Sequence, residues 1–130
     1  TLLAVFSLLA ITTSCEKTEP IHLVSDTNLK GQNTIPVPAE GGTIHVTCTN
    51  YESFSVYEYS VTVDKQPFKD PNSTTISPVS LTPWLKTTVN KNVMTVVFEP
   101  NTTSKVRITI FEFTAGDVRT RLRFEQEAKK

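Results

Sequence analysis

From residue 34 onward, apolar and polar residues alternate with a period of two in several short stretches. In TIHVTCT, residues 43–49, the apolar positions are Ile44, Val46 and Cys48. Such alternation is typical of a β-strand that buries one face. We therefore expect these three side chains to point into a core, with Cys48 as a buried free thiol that packs like a small apolar group.

Further strand-like stretches follow, and turn residues separate them. Their sequences are FSVYEYSVTV, WLKTTV, VMTVVFE, VRITIFEF and VRTRLRFEQ, and a long loop, DKQPFKDPNSTTISP, follows the first. In FSVYEYSVTV the apolar parity changes between Val56 and Tyr57, which indicates a bulge or a change of face. No segment has helical periodicity over three turns. The pattern predicts an all-β sandwich of about seven antiparallel strands.

The last two stretches predict a hairpin. Thr114-Ala115-Gly116-Asp117 joins them, and Gly116 suits the left-handed position of a three-residue loop. In this register one face of the hairpin is apolar and forms part of the core. The residues expected on that core face are Val106, Ile108, Ile110, Val118, Leu122 and Phe124.

The opposite face of this hairpin combines arginines with aromatic rings. The candidate ligand-binding residues on it are Phe111, Phe113, Arg119, Arg121 and Arg123. One interpretation is a binding surface for an anionic or ring-bearing partner. The alternatives are a solvated sheet face on which guanidinium groups stack on the rings, or rings covered by the N-terminal segment.

Trp84 is a further candidate for ligand binding. It is the single tryptophan and lies between Pro83 and Leu85 at the start of a strand. A flat indole suits the C–H groups of a sugar ring. The alternative is a core position, where large aromatic rings contribute most to packing.

The N-terminal residues have a different character. Residues 1–14 are apolar and uncharged, and Cys15 is followed at once by charged residues. This break resembles a bacterial lipoprotein signal peptide with its lipobox, in which the chain is cut before the cysteine and the thiol carries lipid. We expect residues 1–14 to be part of a signal peptide and residues 15–32 a lipid-anchored flexible tether. The alternative is a buried N-terminal helix or strand.

Several segments in order resemble the BACON domain, a module of secreted proteins and lipoproteins of Bacteroidetes. They are VPAEGGTIHVTCTNYESFSV, PWLKTTV, FEPNTTSKVRITI and LRFEQEA, and they identify residues 33–130 as the domain. The resemblance implies an immunoglobulin-like sandwich and a role in binding carbohydrate, including mucin-type glycans. A structural spacer or protein-interaction module is the alternative, and the family supplies no catalytic residue.

Composition and motifs argue against several classes of function. The 13 basic and 13 acidic residues balance, so no overall field attracts nucleic acid. No spacing matches a zinc site, and the 4 glycines form no phosphate loop. We therefore expect no enzyme, no metal and no cofactor. The expected protein is a monomer, held at the outer membrane by lipid on Cys15, with a glycan or a cell-surface protein as partner.

Overall fold

The computed structural model describes residues 19–27, 33–68 and 82–130, in which nine strands are present. The strands are β1 (Leu23–Ser25), β2 (Thr34–Val37), β3 (Gly42–Cys48), β4 (Ser55–Val63), β5 (Gln66–Pro67), β6 (Leu85–Asn90), β7 (Val93–Phe98), β8 (Arg107–Ala115) and β9 (Val118–Gln126). The described ranges include no helix long and apolar enough to cross a bilayer.

The strands form two sheets that face each other. One has the order β1-β3-β7-β6 and the other β2-β9-β8-β4-β5. In the immunoglobulin fold, strands lettered in chain order pair as ABED in one sheet and CFG in the other. With β2 and β5 as additional short strands, β1-β3-β7-β6 matches ABED, and β4, β8 and β9 match C, F and G. The protein is therefore an immunoglobulin-like β-sandwich, as the sequence predicts. The described residues form nine strands rather than about seven, and the β2–β9 pair is parallel.

The core between the sheets is rich in phenylalanine. The ring centroids of Phe98 and Phe124 lie 5.2 Å apart, and Phe111 meets Phe124 edge-on at 5.6 Å. Phe113 packs against Phe54 at 5.1 Å. Such tilted pairs add roughly 0.5–1.5 kcal/mol each to the free energy of area burial. These contacts join both sheets, since Phe98 belongs to β7 and Phe111, Phe113 and Phe124 belong to β8 and β9.

Cys48 lies in this core as predicted. It is fully buried with a free thiol, and Ile44 and Val46 on the same face of β3 are also buried. The Cys48 Sγ lies 3.5 Å from the Asn50 Oδ1. The period of two in the sequence was therefore sufficient to orient this strand.

The β8–β9 hairpin differs from the prediction in the length of its turn. Ala115 pairs with Val118, so the turn contains two residues, Gly116 and Asp117, rather than three. Gly116 has a φ of 58°, in the left-handed region that a two-residue hairpin turn requires. Side chains alternate between the two faces of a strand. If the turn is one residue shorter than predicted, the opposite set of β8 side chains shares a face with the core residues of β9.

The register therefore corrects the predicted faces of β8. Phe111 lies opposite Leu122, and both are fully buried. The prediction that Phe111 and Phe113 are exposed is wrong, because both rings point into the core with no accessible surface. The residues predicted to fill the core from β8 lie elsewhere: Ile108 and Ile110 are half-buried on the outer side, and Val106 is exposed.

The parity change in β4 corresponds to a bulge, but the bulge lies after the predicted position. The register of β4 against β8 shifts between Glu58 and Ser60, rather than between Val56 and Tyr57. Val56 before the shift and Val61 after it are both buried, whereas Tyr57 and Tyr59 are exposed. The extra residue thus keeps valines in the core on either side of two outward-facing tyrosines.

The predicted tether, residues 15–32, is partly folded. Within it, β1 pairs antiparallel with β3, and Ile21 is buried in the core. The Asp26 carboxylate accepts hydrogen bonds from the His45 backbone N–H at 3.0 Å and the His45 ring Nδ1 at 2.9 Å. The prediction of a flexible tether is therefore wrong for residues 21–26. The predicted signal peptide, residues 1–14, and Cys15 lie outside the described residues.

Gly41 offers a test of the close approach between the β2–β3 connection and β7. Its φ is 77°, and an added Cβ would overlap the Phe98 carbonyl oxygen. We expect Gly41→Ala to lower the free energy of unfolding by about 2 kcal/mol or more, because conformational strain and overlap add. Gly116→Ala is the control, since its φ is also positive but its Cβ would meet nothing, so about 1 kcal/mol is expected. Equal losses in denaturant unfolding would contradict this assignment.

Candidate functional site

The residues that the sequence marked as ligand-binding candidates do not form one site. Phe111 and Phe113 lie in the core, as described above. Arg119, Arg121 and Arg123 lie on the outer face of β9, where the sequence predicted them. Trp84 lies away from them at the start of β6, in a cleft at one end of the sandwich. Two surfaces therefore need separate description.

The first surface, here called the Tyr–Arg face, consists of Tyr57, Tyr59, Glu112, Arg119 and Arg121. Strand pairing brings them together, because Tyr57 lies opposite Glu112, and Glu112 lies opposite Arg121. Tyr57 and Tyr59 expose 42% and 53% of their surface. The Cζ of Arg121 lies 4.3 Å from the centroid of the Tyr59 ring, a cation–π contact.

Glu112 holds a position between the two arginines. Its Oε1 is 3.7 Å from the Arg119 Nη1, and its Oε2 is 3.8 Å from the Arg121 Nε. Both arginine side chains are more than half exposed, so these long ion pairs contribute little stability. The groups are accordingly free to exchange partners with a ligand at small cost.

Arg123 continues the row of arginines on β9 but is less accessible. Its Nη2 lies 3.5 Å from the Glu125 Oε2, and its Nε is buried with no hydrogen-bond partner. Both side chains are a little under half exposed. Arg123 is therefore a weaker candidate for contact with a ligand than Arg119 or Arg121.

The tyrosines of this face were missed as candidates in the sequence. The indication was present, because alternation from the core residue Val56 directs Tyr57 and Tyr59 away from the core. The bulge between Glu58 and Ser60 then returns Val61 to the core. The predicted combination of rings and arginines is thus present on the outer face, but tyrosines of β4 supply the rings.

The second surface, here called the end cleft, has a volume of about 400 Å³. The β4–β5 hairpin, the start of β6 and the loop before β8 enclose it. Trp84 lines the cleft but is only 7% exposed. Its ring meets the Phe68 ring at 4.7 Å, and the Cζ of Arg107 lies 4.5 Å from its centroid. The prediction of Trp84 as a platform for sugar stacking is therefore wrong, and the core alternative describes it.

Charges in the end cleft are predominantly positive. Arg107 and Lys105 line it together with one carboxylate, Asp64. Burial lowers the pKa of the Arg107 guanidinium, and the nearby charge of Glu99 opposes this shift. Among the described residues, none forms an ion pair with Arg107.

Asn101 fixes the loop that carries Lys105 into the cleft. The side chain is buried, and its Nδ2 donates to the carbonyl oxygens of Lys105 at 2.8 Å and Glu127 at 3.0 Å. Its Oδ1 accepts from the backbone N–H of Thr103 at 3.1 Å and from its hydroxyl at 2.7 Å. One amide thereby satisfies four partners and ties the loop to the end of β9.

Within the described ranges, no group of three or more His, Cys, Asp or Glu residues could hold a metal ion. The two surfaces carry aromatic rings, guanidinium groups and carboxylates.

Comparison with known proteins supports the fold. No protein-family model and no curated protein matches the sequence. A protein of Bacteroides thetaiotaomicron, solved by NMR, is similar in structure, with a TM-score of 0.61 and 20% identity. The match covers 91% of this chain and 98% of that one. The chain therefore shares its fold with a bacterial protein.

Two immunoglobulin domains of titin are more distant. The titin M3 domain has a TM-score of 0.46 at 9% identity, covering 85% of this chain and 99% of that one. A chimeric titin Z1Z2, functionalized with a peptide from decorin, has a TM-score of 0.45 at 11% identity, covering 85% and 98%.

Asn101 gives a stability prediction for the loop. We expect Asn101→Ala to lower the free energy of unfolding by about 2–3 kcal/mol, because the four hydrogen bonds of a buried amide are lost. Thr102→Ala is the control, since Thr102 is exposed and adjacent. Urea unfolding of both variants measures the difference. Similar stability of the two variants would show that Asn101 does not hold the loop.

The β4–β5 turn gives a second prediction. Asp64 and Lys65 have φ values of 51° and 66°, a conformation in which lysine is strained. We expect Lys65→Gly to raise the free energy of unfolding by roughly 0.5–1 kcal/mol, because glycine adopts this φ without strain. Lys65→Ala keeps the strain and serves as the control. If both variants shift the melting temperature equally, the gain does not come from the backbone.

Proposed function

We propose that this immunoglobulin-like domain is a non-catalytic carbohydrate-binding module of the BACON type. The observation that supports this function is the pair of exposed tyrosines on the Tyr–Arg face, beside arginine and glutamate side chains. Tyrosine combines a broad apolar ring with a hydroxyl group. This combination suits a surface that water covers in the free protein and a ligand covers in the complex. Sugars present the same combination of C–H faces and hydroxyl groups.

In the proposed complex, each group of the Tyr–Arg face has a role in binding. The rings of Tyr57 and Tyr59 receive the C–H face of a sugar. Arg119 and Arg121 donate hydrogen bonds to sugar oxygens, and the Glu112 carboxylate accepts them from hydroxyl groups. Because Arg121 is already held over the Tyr59 ring, its guanidinium loses little conformational freedom on binding.

The proposal includes a place in the cell envelope. The break from apolar to charged sequence at Cys15 supports a lipid anchor on that residue at the outer membrane. Only residues 16–20 separate Cys15 from Ile21, which is buried in the domain. Such a segment spans at most about 20 Å, so a lipid on Cys15 would hold the domain close to the bilayer surface.

A structural or protein-interaction role is the second candidate. It is favoured by the contacts already present on the Tyr–Arg face, where Arg121 covers Tyr59 and both arginines approach Glu112. A face of this kind is also stable in solvent without a ligand. The burial of Trp84 agrees with this candidate too, because it removes one platform for sugar stacking.

A glycan array probed with the chain from Glu16 to Lys130 tests the proposed function. We expect binding to at least one glycan class, and a loss of about fivefold in affinity for Tyr59→Ala, because a stacked ring contributes about 1 kcal/mol. Val97→Ala is the matched control, since Val97 is similarly exposed in the other sheet.

The outcomes separate the two candidates. Glycan binding that survives both Tyr57→Ala and Tyr59→Ala would contradict the Tyr–Arg face as the site. An absence of any bound glycan, together with capture of an envelope protein that Arg121→Ser abolishes, would establish the protein-interaction role instead.

A further inference from the structure

The end cleft contains groups that the proposed function does not use. Alternation along β8 directs Arg107 inward, on the same side as the buried Thr109 and Phe111. Arg107 lies at the first position of the strand, where the space between the sheets opens at the end of the sandwich. Arg107 therefore places a positive charge on the core-facing side of β8, next to positions that are filled by core side chains.

The donors of this cleft lack acceptors. The Arg107 Nη1 and the Trp84 Nε1 are both buried and have no hydrogen-bond partner. No carboxylate of the described residues pairs with Arg107. Arg107 is only partly buried and the charge of Glu99 acts on it, but these two N–H groups still lack acceptors. An anion that enters the cleft would supply an acceptor.

Two cations line the cleft together. The Cζ of Arg107 lies 4.5 Å from the centroid of the Trp84 ring, a cation–π contact that restrains the guanidinium. Asn101 binds the backbone carbonyl of Lys105, and the exposed Lys105 side chain lines the same cleft. Two cations that line one cleft favour a carboxylate, which a guanidinium can bind through two oxygens.

The remaining lining suits the rest of a sugar ring. Asp64, Gln66 and Thr103 offer acceptors and donors for hydroxyl groups, and Pro67 and Phe68 form an apolar wall. The volume of about 400 Å³ falls in the range of small-molecule sites. We propose that the end cleft binds a hexuronic acid, with its carboxylate on Arg107 and Lys105. The ligand class rests on the proposed carbohydrate-binding function, but the cleft shares no residue with the Tyr–Arg face, so the two sites are tested separately.

Trp84 makes the test direct, because it is the single tryptophan of the chain and lines the cleft. Intrinsic fluorescence is followed during titration with glucuronate, with glucose as the neutral match and acetate as the isolated carboxylate, all at constant ionic strength. We expect a saturable change with glucuronate in the millimolar range, and a much weaker one with glucose or acetate.

Variants locate the binding. Lys105→Gln, at an exposed residue, is expected to weaken glucuronate binding several-fold without loss of stability. Arg107→Gln is expected to weaken it about tenfold or more, as for a lost charge-assisted hydrogen bond. Lys91→Gln, at an exposed lysine in the turn at the other end of β6, is the matched control and should leave it unchanged. Arg119→Gln reports whether glucuronate binds at the Tyr–Arg face instead.

Three results would overturn the proposal. The first is a folded wild-type protein whose Trp84 fluorescence and amide NMR shifts do not respond to glucuronate. The second is equal binding of glucuronate and inorganic phosphate, which would make the cleft a general anion site. The third is glucuronate binding that Lys105→Gln leaves intact and Arg119→Gln removes.

Discussion

The two-residue turn at Gly116–Asp117 is the constraint on which the rest of the structure depends. By pairing Ala115 with Val118, it places Phe111 opposite Leu122 and directs both into the core. The same register leaves the arginines of β9 on the outer face beside Glu112. At the other end of β8 it directs Arg107 inward beneath the indole of Trp84. Core, Tyr–Arg face and end cleft therefore all follow from one turn.

The bulge in β4 adapts the neighbouring strand to this register. Without it, the valines on either side of the tyrosines could not both face the core, because side chains alternate strictly along a regular strand. The shift between Glu58 and Ser60 allows Val56 and Val61 to be buried and leaves Tyr57 and Tyr59 on the outside. The bulge thus returns the strand to the core after two outward-facing tyrosines.

The sequence predicted those features that a single strand determines by itself. The alternation around Cys48 was sufficient to orient β3, and the number and spacing of short strands predicted the sandwich. The faces of β8 were not predictable with the same certainty, because Gly116 suits a turn of two or of three residues and the two choices bury opposite sides. The strand β1 was missed, since three residues gain order only through pairing with β3 and the contact of Asp26 with His45. The end cleft was missed for a related reason: Arg107, Phe68 and Trp84 are distant in sequence and meet only in the fold.

The distribution of aromatic rings between core and surface is the central claim, and solvent paramagnetic relaxation of the ring protons tests it most directly. A soluble, uncharged paramagnetic probe relaxes protons according to their distance from solvent. The structure predicts strong relaxation for Tyr57 and Tyr59 and weak relaxation for Phe111, Phe113 and Phe124. Relaxation of Phe111 and Phe113 as strong as that of Tyr59 would contradict the register of the hairpin and everything built on it.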